Sequence, residues 1–234
     1  MKDPGAGDDE CNGGYADGKD QVMRIITISR QFGSGGRELG ERLATQLGWD
    51  YYDKEIIESL AQKHDLDEEF VRDVLSRHGW HHIQLTYRHS FSQLMVNPSI
   101  HTSVLTRQSE IIREIARAGH DCVIVGRDAD VILSEYSPFR ILVCADMDAR
   151  LERCMKYELR KEPQDRLPEK TVLKNIRRID KNRMRTREIL TGRSRSDHST
   201  FDLIVNASGR DRKKLSAALA EFSLHWFEDR TDAE

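Results

Sequence analysis

At 234 residues the chain exceeds a typical domain of ~100–150 residues but is too short for two full-sized ones, so one sizeable core is expected. Lys and Arg total 37 against 40 Asp and Glu, for a net charge of −3, which excludes a globally basic nucleic-acid coat and an acidic tail protein. No stretch approaches the ~18 apolar residues of a membrane span.

In chain order, residues 1–21 are acidic and glycine-rich, with no apolar segment of the kind a signal peptide carries; they read as a disordered leader. Residues 23–29 are a β-branched apolar run, the pattern of a strand buried on both faces. The cluster Gly33-Ser34-Gly35-Gly36 follows, and Leu39, Leu43 and Leu47 then recur at helical spacing with Gly48 as the predicted stop. Residues 49–52 predict a short second strand, and helical patterns follow over about 54–63 and 67–77. Residues 78–100 are polar and aperiodic. The His78–His82 cluster within them has no cysteine or carboxylate at usual zinc spacing, so it reads as a loop rather than a metal site. Ile111, Ile112 and Ile115 predict a helix ending near Gly119, and strands are predicted at 121–126, 140–145 and 202–206. A basic helical stretch spans about 147–190, broken near Pro163 and Pro168. Leu215, Leu219, Phe222 and Trp226 form an apolar stripe that should dock on a sheet. Alternating short apolar strands and helices predict an α/β sandwich with a parallel sheet. The four cysteines show no C-x-x-C spacing and read as free thiols of a reducing, cytoplasmic setting.

A glycine-rich turn between a buried strand and a helix suits an anion. Its backbone N–H groups converge, and the absence of Cβ atoms lets a phosphate approach. The segment is not a standard G-x-x-x-x-G-K-[ST] loop. With Gly35 as the second motif glycine, Arg30 takes the first glycine's place and Gly36 the lysine's. With Gly36 as the second, Gln31, Arg37 and Glu38 take the first-glycine, lysine and Ser/Thr places. Arg37 is a candidate replacement for the lysine, or a surface residue of the helix start. Glu38 could offer Mg²⁺ a hard oxygen, or complement the helix dipole. Arg127, just past a strand end, is a candidate ligand-binding arginine. The arginines and lysines of 177–187 could surround a transferring phosphoryl group, or form a solvated basic face.

The stretches ITISRQFGSGGRELG (26–40), QSEIIREIA (108–116), CVIVGRDADVIL (122–133), IDKNR (179–183) and FDLIVN (201–206) together resemble the cytidylate-kinase-like family of P-loop kinases. The resemblance implies a P-loop NTPase-type three-layer α/β sandwich with a central parallel sheet, occupying residues 22–230 as a single domain. An acceptor-binding helical insertion would fall at about 53–118 and a helical, arginine-bearing lid at about 156–197. It implies donor-phosphate contacts at Gly33, Ser34, Gly35 and Gly36, joined by Arg37. It implies acceptor contacts at Arg127, Asp128, Asp180 and Arg183. Arg37, by its adjacency to the loop, and Arg183, by the family match, are the expected catalytic cations, Arg37 held at the donor phosphates from the start and Arg183 arriving as the lid closes. ATP with Mg²⁺, the latter near Glu38, and CMP or dCMP are the implied substrates and cofactor. The sequence departs from the family where the P-loop lysine is absent, where Val125 replaces an acidic residue before Gly126-Arg127-Asp128, and where Lys54, Glu55 and Ile56 replace small acceptor-site residues. Three functions compete. A kinase of nucleoside monophosphates is favoured by the retained motifs, and a nucleotide sensor without turnover by the departures. Nucleic-acid binding through 170–195 ranks last because no aromatic-interleaved surface accompanies the charge. Nucleotides, and neither membrane nor nucleic acid, are the expected partners.

Overall fold

A computed structural model describes residues 23–64, 102–192 and 198–231. The leader, the predicted helix at 67–77 and the polar segment with the histidine cluster lie outside the described residues. The strands are β1 (Ile25–Arg30), β2 (Asp50–Tyr52), β3 (Cys122–Val125), β4 (Phe139–Cys144) and β5 (Leu203–Asn206). The helices are α1 (Gly36–Leu47), α2 (Lys54–His64), α3 (Thr102–Arg117), the short α4 (Ala129–Ile132), α5 (Met147–Glu158), α6 (Glu169–Thr191) and α7 (Arg212–Thr231). The predicted break near Pro163 and Pro168 is the gap between α5 and α6, with Pro168 at the start of α6. Among the described residues, no helix is long and apolar enough to cross a membrane.

All pairings are parallel and the order is β2-β3-β1-β4-β5. The period of two along each strand sorts its residues into two cores. Ile25, Cys122 and Ile124 pack with Ile56, Ile57 and Leu60 of α2 and Ile111, Ile112 and Ile115 of α3. Ile26, Ile28, Val123, Val125, Ile141 and Val143 face the opposite way, onto Leu39 and Leu43 of α1 and Leu219 of α7. This is the three-layer α/β sandwich with a central parallel sheet that the resemblance implies. The α7 stripe docks as predicted at Leu219 and at Trp226, whose ring stacks 4.7 Å from Phe139. Phe222, at the flank of the stripe, keeps 45 % of its surface exposed.

A third, smaller cluster joins α5 and α6 through Cys154, Val172 and Ile176, with Phe32 of the glycine loop packed against it. The chain leaves β1 on one side for β2 and β3 and on the other for β4 and β5. The carboxyl end of β1 is therefore the topological switch point, where open α/β sheets place their ligands. Cys122 and Cys154 are buried free thiols and Cys144 is partly buried; Cys11 lies outside the described residues.

Candidate functional site

The glycine loop leaves β1 at its carboxyl end and is tied down on both sides. Gln31 donates its backbone N–H to the Val143 carbonyl (3.0 Å) and accepts the Ala145 N–H on its side-chain oxygen (3.0 Å), fixing the loop to the end of β4. The fully buried Ser34 turns its hydroxyl back to the Gln31 carbonyl at 2.9 Å, so it closes the loop from within. Phe32 is gripped from α5 and α6. Asp180 accepts its N–H at 2.8 Å, and the Arg150 Nε donates to its carbonyl at 2.7 Å. Arg150 also donates to Asp180, and its side chain is 5 % exposed. Asp180, expected at the acceptor, thus has both carboxylate oxygens engaged in holding the glycine loop.

Gly35 sits at φ +86°, immediately before α1. A β-branched residue is strained in that region. Gly35→Val should therefore distort the loop and weaken ATP binding at least about tenfold, on the scale of 1–3 kcal/mol of backbone strain. Calorimetric titration alongside a circular-dichroism melt checks this; unchanged affinity in a folded variant would exclude the loop as a donor site.

Arg37 and Glu38, the first side chains of α1 after the glycines, point to different partners. Arg37 makes two hydrogen bonds to Glu55, at 2.9 and 2.8 Å, and an ion pair with Asp53 at 2.7 Å. Burial alone would lower its pKa, but the Glu55 hydrogen bond and the two carboxylate charges outweigh that and raise it. The guanidinium thereby bridges the loop to the start of α2. Glu38 accepts from Arg42 on one oxygen at 3.1 Å and from Arg153 on the other. Burial opposes its ionisation, yet these two arginines hold its carboxyl below the usual range. Both oxygens are engaged, and among the described residues no group of three or more His, Cys, Asp or Glu could hold a metal. The residues present do not fit a protein-held Mg²⁺ at Glu38.

After β3 the backbone turns through three successive left-handed residues, Gly126, Arg127 and Asp128, at φ +82°, +61° and +52°. Such conformations in non-glycine residues persist only where the surroundings enforce them. Arg127 is bonded to Glu58, and Asp128 lies 3.6 Å from the Arg187 guanidinium. Gly126 holds a φ of +82°, which side-chain-bearing residues rarely adopt, and the Arg30 guanidinium lies in the space that a Cβ there would take.

Between this turn, α2, α3 and α6 lies a cavity of about 220 Å³. Ser29 and Arg30 line it from β1, Lys54 from α2, Leu105, Gln108 and Ser109 from α3, and Gly126, Arg127 and Asp128 from the turn. The row Arg178, Asn182, Thr186 and Leu190, at four-residue spacing, lines it from α6 together with Arg183. Among the described residues, Arg30, Lys54, Arg127, Arg178 and Arg183 line it together with one carboxylate, Asp128. Burial lowers the Lys54 pKa, and the charges of Arg127 and Arg183 push the same way against Glu58. Burial likewise lowers that of Arg127 despite Glu58.

Of the expected acceptor residues, Arg127, Asp128 and Arg183 meet in this cavity and Asp180 stands outside it. Arg183 donates to the Arg30 carbonyl at 3.0 Å and its guanidinium lies 5.7 Å from the Phe32 ring, so it already sits at the glycine loop without further closure. Arg187, predicted on the same helix face as Arg183, turns instead into a buried pair with Asp130 at 2.6 Å. Lys54 lines the cavity, Glu55 holds Arg37, and Ile56 belongs to the core. Sequence reasoning missed Arg30, Arg150, Arg153 and Arg212. Arg30 was legible as the residue ending the β1 run; the other three carry no motif signal.

A family model described as the cytidylate kinase-like family matches residues 25–209. Among solved structures, an uncharacterized protein from Eubacterium ventriosum ATCC 27560 superposes with a TM-score of 0.61 at 23 % identity, covering 86 % of this chain and 98 % of that one. A shikimate kinase from Acinetobacter baumannii in complex with shikimate superposes with a TM-score of 0.45 at 13 % identity, covering 87 % of this chain and 94 % of that one. One from Aquifex aeolicus vf5 gives 0.47 at 14 %, covering 91 % and 100 %. No curated protein matches.

Proposed function

The chain belongs to the cytidylate kinase-like family, and from that premise we propose that it transfers a phosphoryl group from ATP to a nucleoside monophosphate, with CMP or dCMP the first candidates. The observation that carries this reading is the cation-lined cavity beside the glycine loop, at the carboxyl ends of β1 and β3. Phosphoryl transfer is largely positioning and charge neutralisation, and arginines suit the task through their planar, bidentate forks. The glycine loop takes the donor. Arg127 binds the acceptor phosphate, and Arg183, between cavity and loop, serves the phosphoryl group in transit. Mg²⁺ bound to the ATP would draw its ligands from the phosphates and water and would neutralise phosphate charge, with no residue of this chain assigned to hold it. Among the described residues, Asp128, the amides of Gln108 and Asn182 and the hydroxyls of Ser29, Ser109 and Thr186 line the cavity as polar groups for orienting the rest of the acceptor.

The test is a coupled assay of the purified protein with ATP and Mg²⁺ against each nucleoside monophosphate. Turnover with one or more monophosphates is expected. In that assay Arg127→Ala should raise the acceptor KM about ten- to a hundredfold, the equivalent of one charge-assisted hydrogen bond of about 1.5–3 kcal/mol. ATP affinity should stay near that of the parent. Equal loss of ATP and acceptor binding would assign Arg127 a structural role.

A second reading, a nucleotide sensor without turnover, is favoured by one feature. The arginine nearest in sequence to the missing lysine, Arg37, is held by Asp53 and Glu55. Nucleotide binding without turnover on any monophosphate would establish it.

A further inference from the structure

The glycine loop carries no lysine, yet two guanidinium groups from distant parts of the chain stand over it. A Cβ on Gly35 would lie 2.7 Å from Arg212 Nε and 3.4 Å from Arg153 Cζ. Arg153 belongs to α5 and Arg212 is the first residue of α7. Arg153 pairs with Glu38, a carboxylate it shares with Arg42. Arg212 forms no ion pair among the described residues. Its Nη1 donates to the carbonyls of Ala207 (3.0 Å) and Arg210, and its buried Nε has no hydrogen-bond partner there. Burial, and after it the like charge of Arg153, lowers the Arg212 pKa, with Glu38 opposing.

Two guanidinium groups held together, Arg153 paired with Glu38 and Arg212 carrying a buried Nε–H with no hydrogen-bond partner among the described residues, form an arrangement that a polyanion would relieve. Neither lines the acceptor cavity. We propose that Arg153 and Arg212 take the place of the absent lysine by binding the polyphosphate chain of the donor nucleotide at Gly35. This inference rests on the reading of the glycine loop as the donor site. Phosphate oxygens entering over Gly35 meet the Arg212 Nε–H and displace Glu38 from Arg153, leaving Glu38 with Arg42. Arg37 stays with Asp53 and Glu55, where it braces the loop against α2. The cationic charge for the donor thus comes from two elements outside the loop.

Titration calorimetry of ATP, inorganic tripolyphosphate and adenosine into the parent protein, Arg153→Met, Arg212→Met and Arg212→Lys tests this, with melts to verify folding. Each methionine variant should bind ATP and tripolyphosphate about ten- to a hundredfold more weakly, the scale of one charge-assisted contact. Adenosine binding should be unchanged, and Arg212→Lys should recover part of the loss. If Arg212→Met does not fold, Arg153→Met and Arg212→Lys carry the comparison. Unchanged tripolyphosphate affinity in the variants, with the parent still binding ATP, overturns the proposal and leaves the donor reading intact. Parallel loss of adenosine binding also overturns it, by assigning the arginines to the base or to loop structure. A parent protein that binds neither ATP nor tripolyphosphate removes the donor reading and the proposal together.

Discussion

Arg183→Ala is expected to lower turnover about a hundredfold or more, the loss associated with removing one preorganised electrostatic donor. Arg183 lines the cavity, donates to the Arg30 carbonyl at 3.0 Å and lies 3.8 Å from Asp180. It therefore stands where loop and cavity meet, the position from which a cation can follow charge that moves from donor to acceptor. Its carbonyl contact is neutral and its carboxylate partner is shared with Arg150 and Phe32, so the guanidinium keeps electrostatic reach toward an incoming phosphoryl group. Loss of kcat with little change in ATP affinity is the expected signature, because the loop remains anchored by Gln31, Arg150 and Asp180. The measurement is steady-state kinetics with the acceptor identified in the monophosphate screen, paired with ATP titration. A variant that keeps parental kcat would remove Arg183 from the transfer step.

Arg187→Leu is expected to destabilise the fold by about 3–5 kcal/mol, the usual consequence of leaving a buried charge without its partner. Arg187 and Asp130 have side chains 5 % and 3 % exposed and approach to 2.6 Å. The guanidinium also donates to the Thr200 hydroxyl at 3.2 Å and lies 5.0 Å from the Phe201 ring, so it links α6 and α4 to the segment before β5. Among the described residues, Asp130 has one further side-chain hydrogen bond, from Ser29 at 3.5 Å, which is too weak to compensate an unpaired carboxylate. The double variant Arg187→Leu with Asp130→Leu should recover much of the loss, because the desolvated charge is then absent. Urea unfolding of the single and double variants measures both quantities. A single-variant loss below about 1 kcal/mol, the range of a surface ion pair, would show that the pair is solvated in solution.

The local features of this chain were written in its sequence. Continuous apolar runs at 23–29, 121–126, 140–145 and 202–206 became β1, β3, β4 and β5, each within a residue or two. For β1, β3 and β4, which are buried on both faces, such a run is the expected pattern; in β5 Val205 is buried and Ile204 stays exposed. The helix stop at Gly48, the break at Pro163 and Pro168 and the glycine turn before α1 were equally legible, since they depend on backbone conformations that one residue permits or forbids. Family motifs added the topology and marked Arg127, Asp128 and Arg183, which the fold brings to one cavity.

The division of labour among the charges was decided by tertiary structure alone. In sequence, Arg37 is the natural stand-in for the missing lysine, Asp180 an acceptor contact, and Arg183 and Arg187 a pair on one helix face. In space, Arg37 meets Asp53 and Glu55, Asp180 meets Phe32 and Arg150, and Arg187 meets Asp130. Arg153 and Arg212, remote from the loop in sequence, arrive at Gly35. The physical reason is that apolar periodicity records which face is buried, whereas a charge takes its role from the nearest opposite charge. An arginine's long side chain can reach several candidates, and which of them lies nearest is set only when the sheet order brings distant elements together.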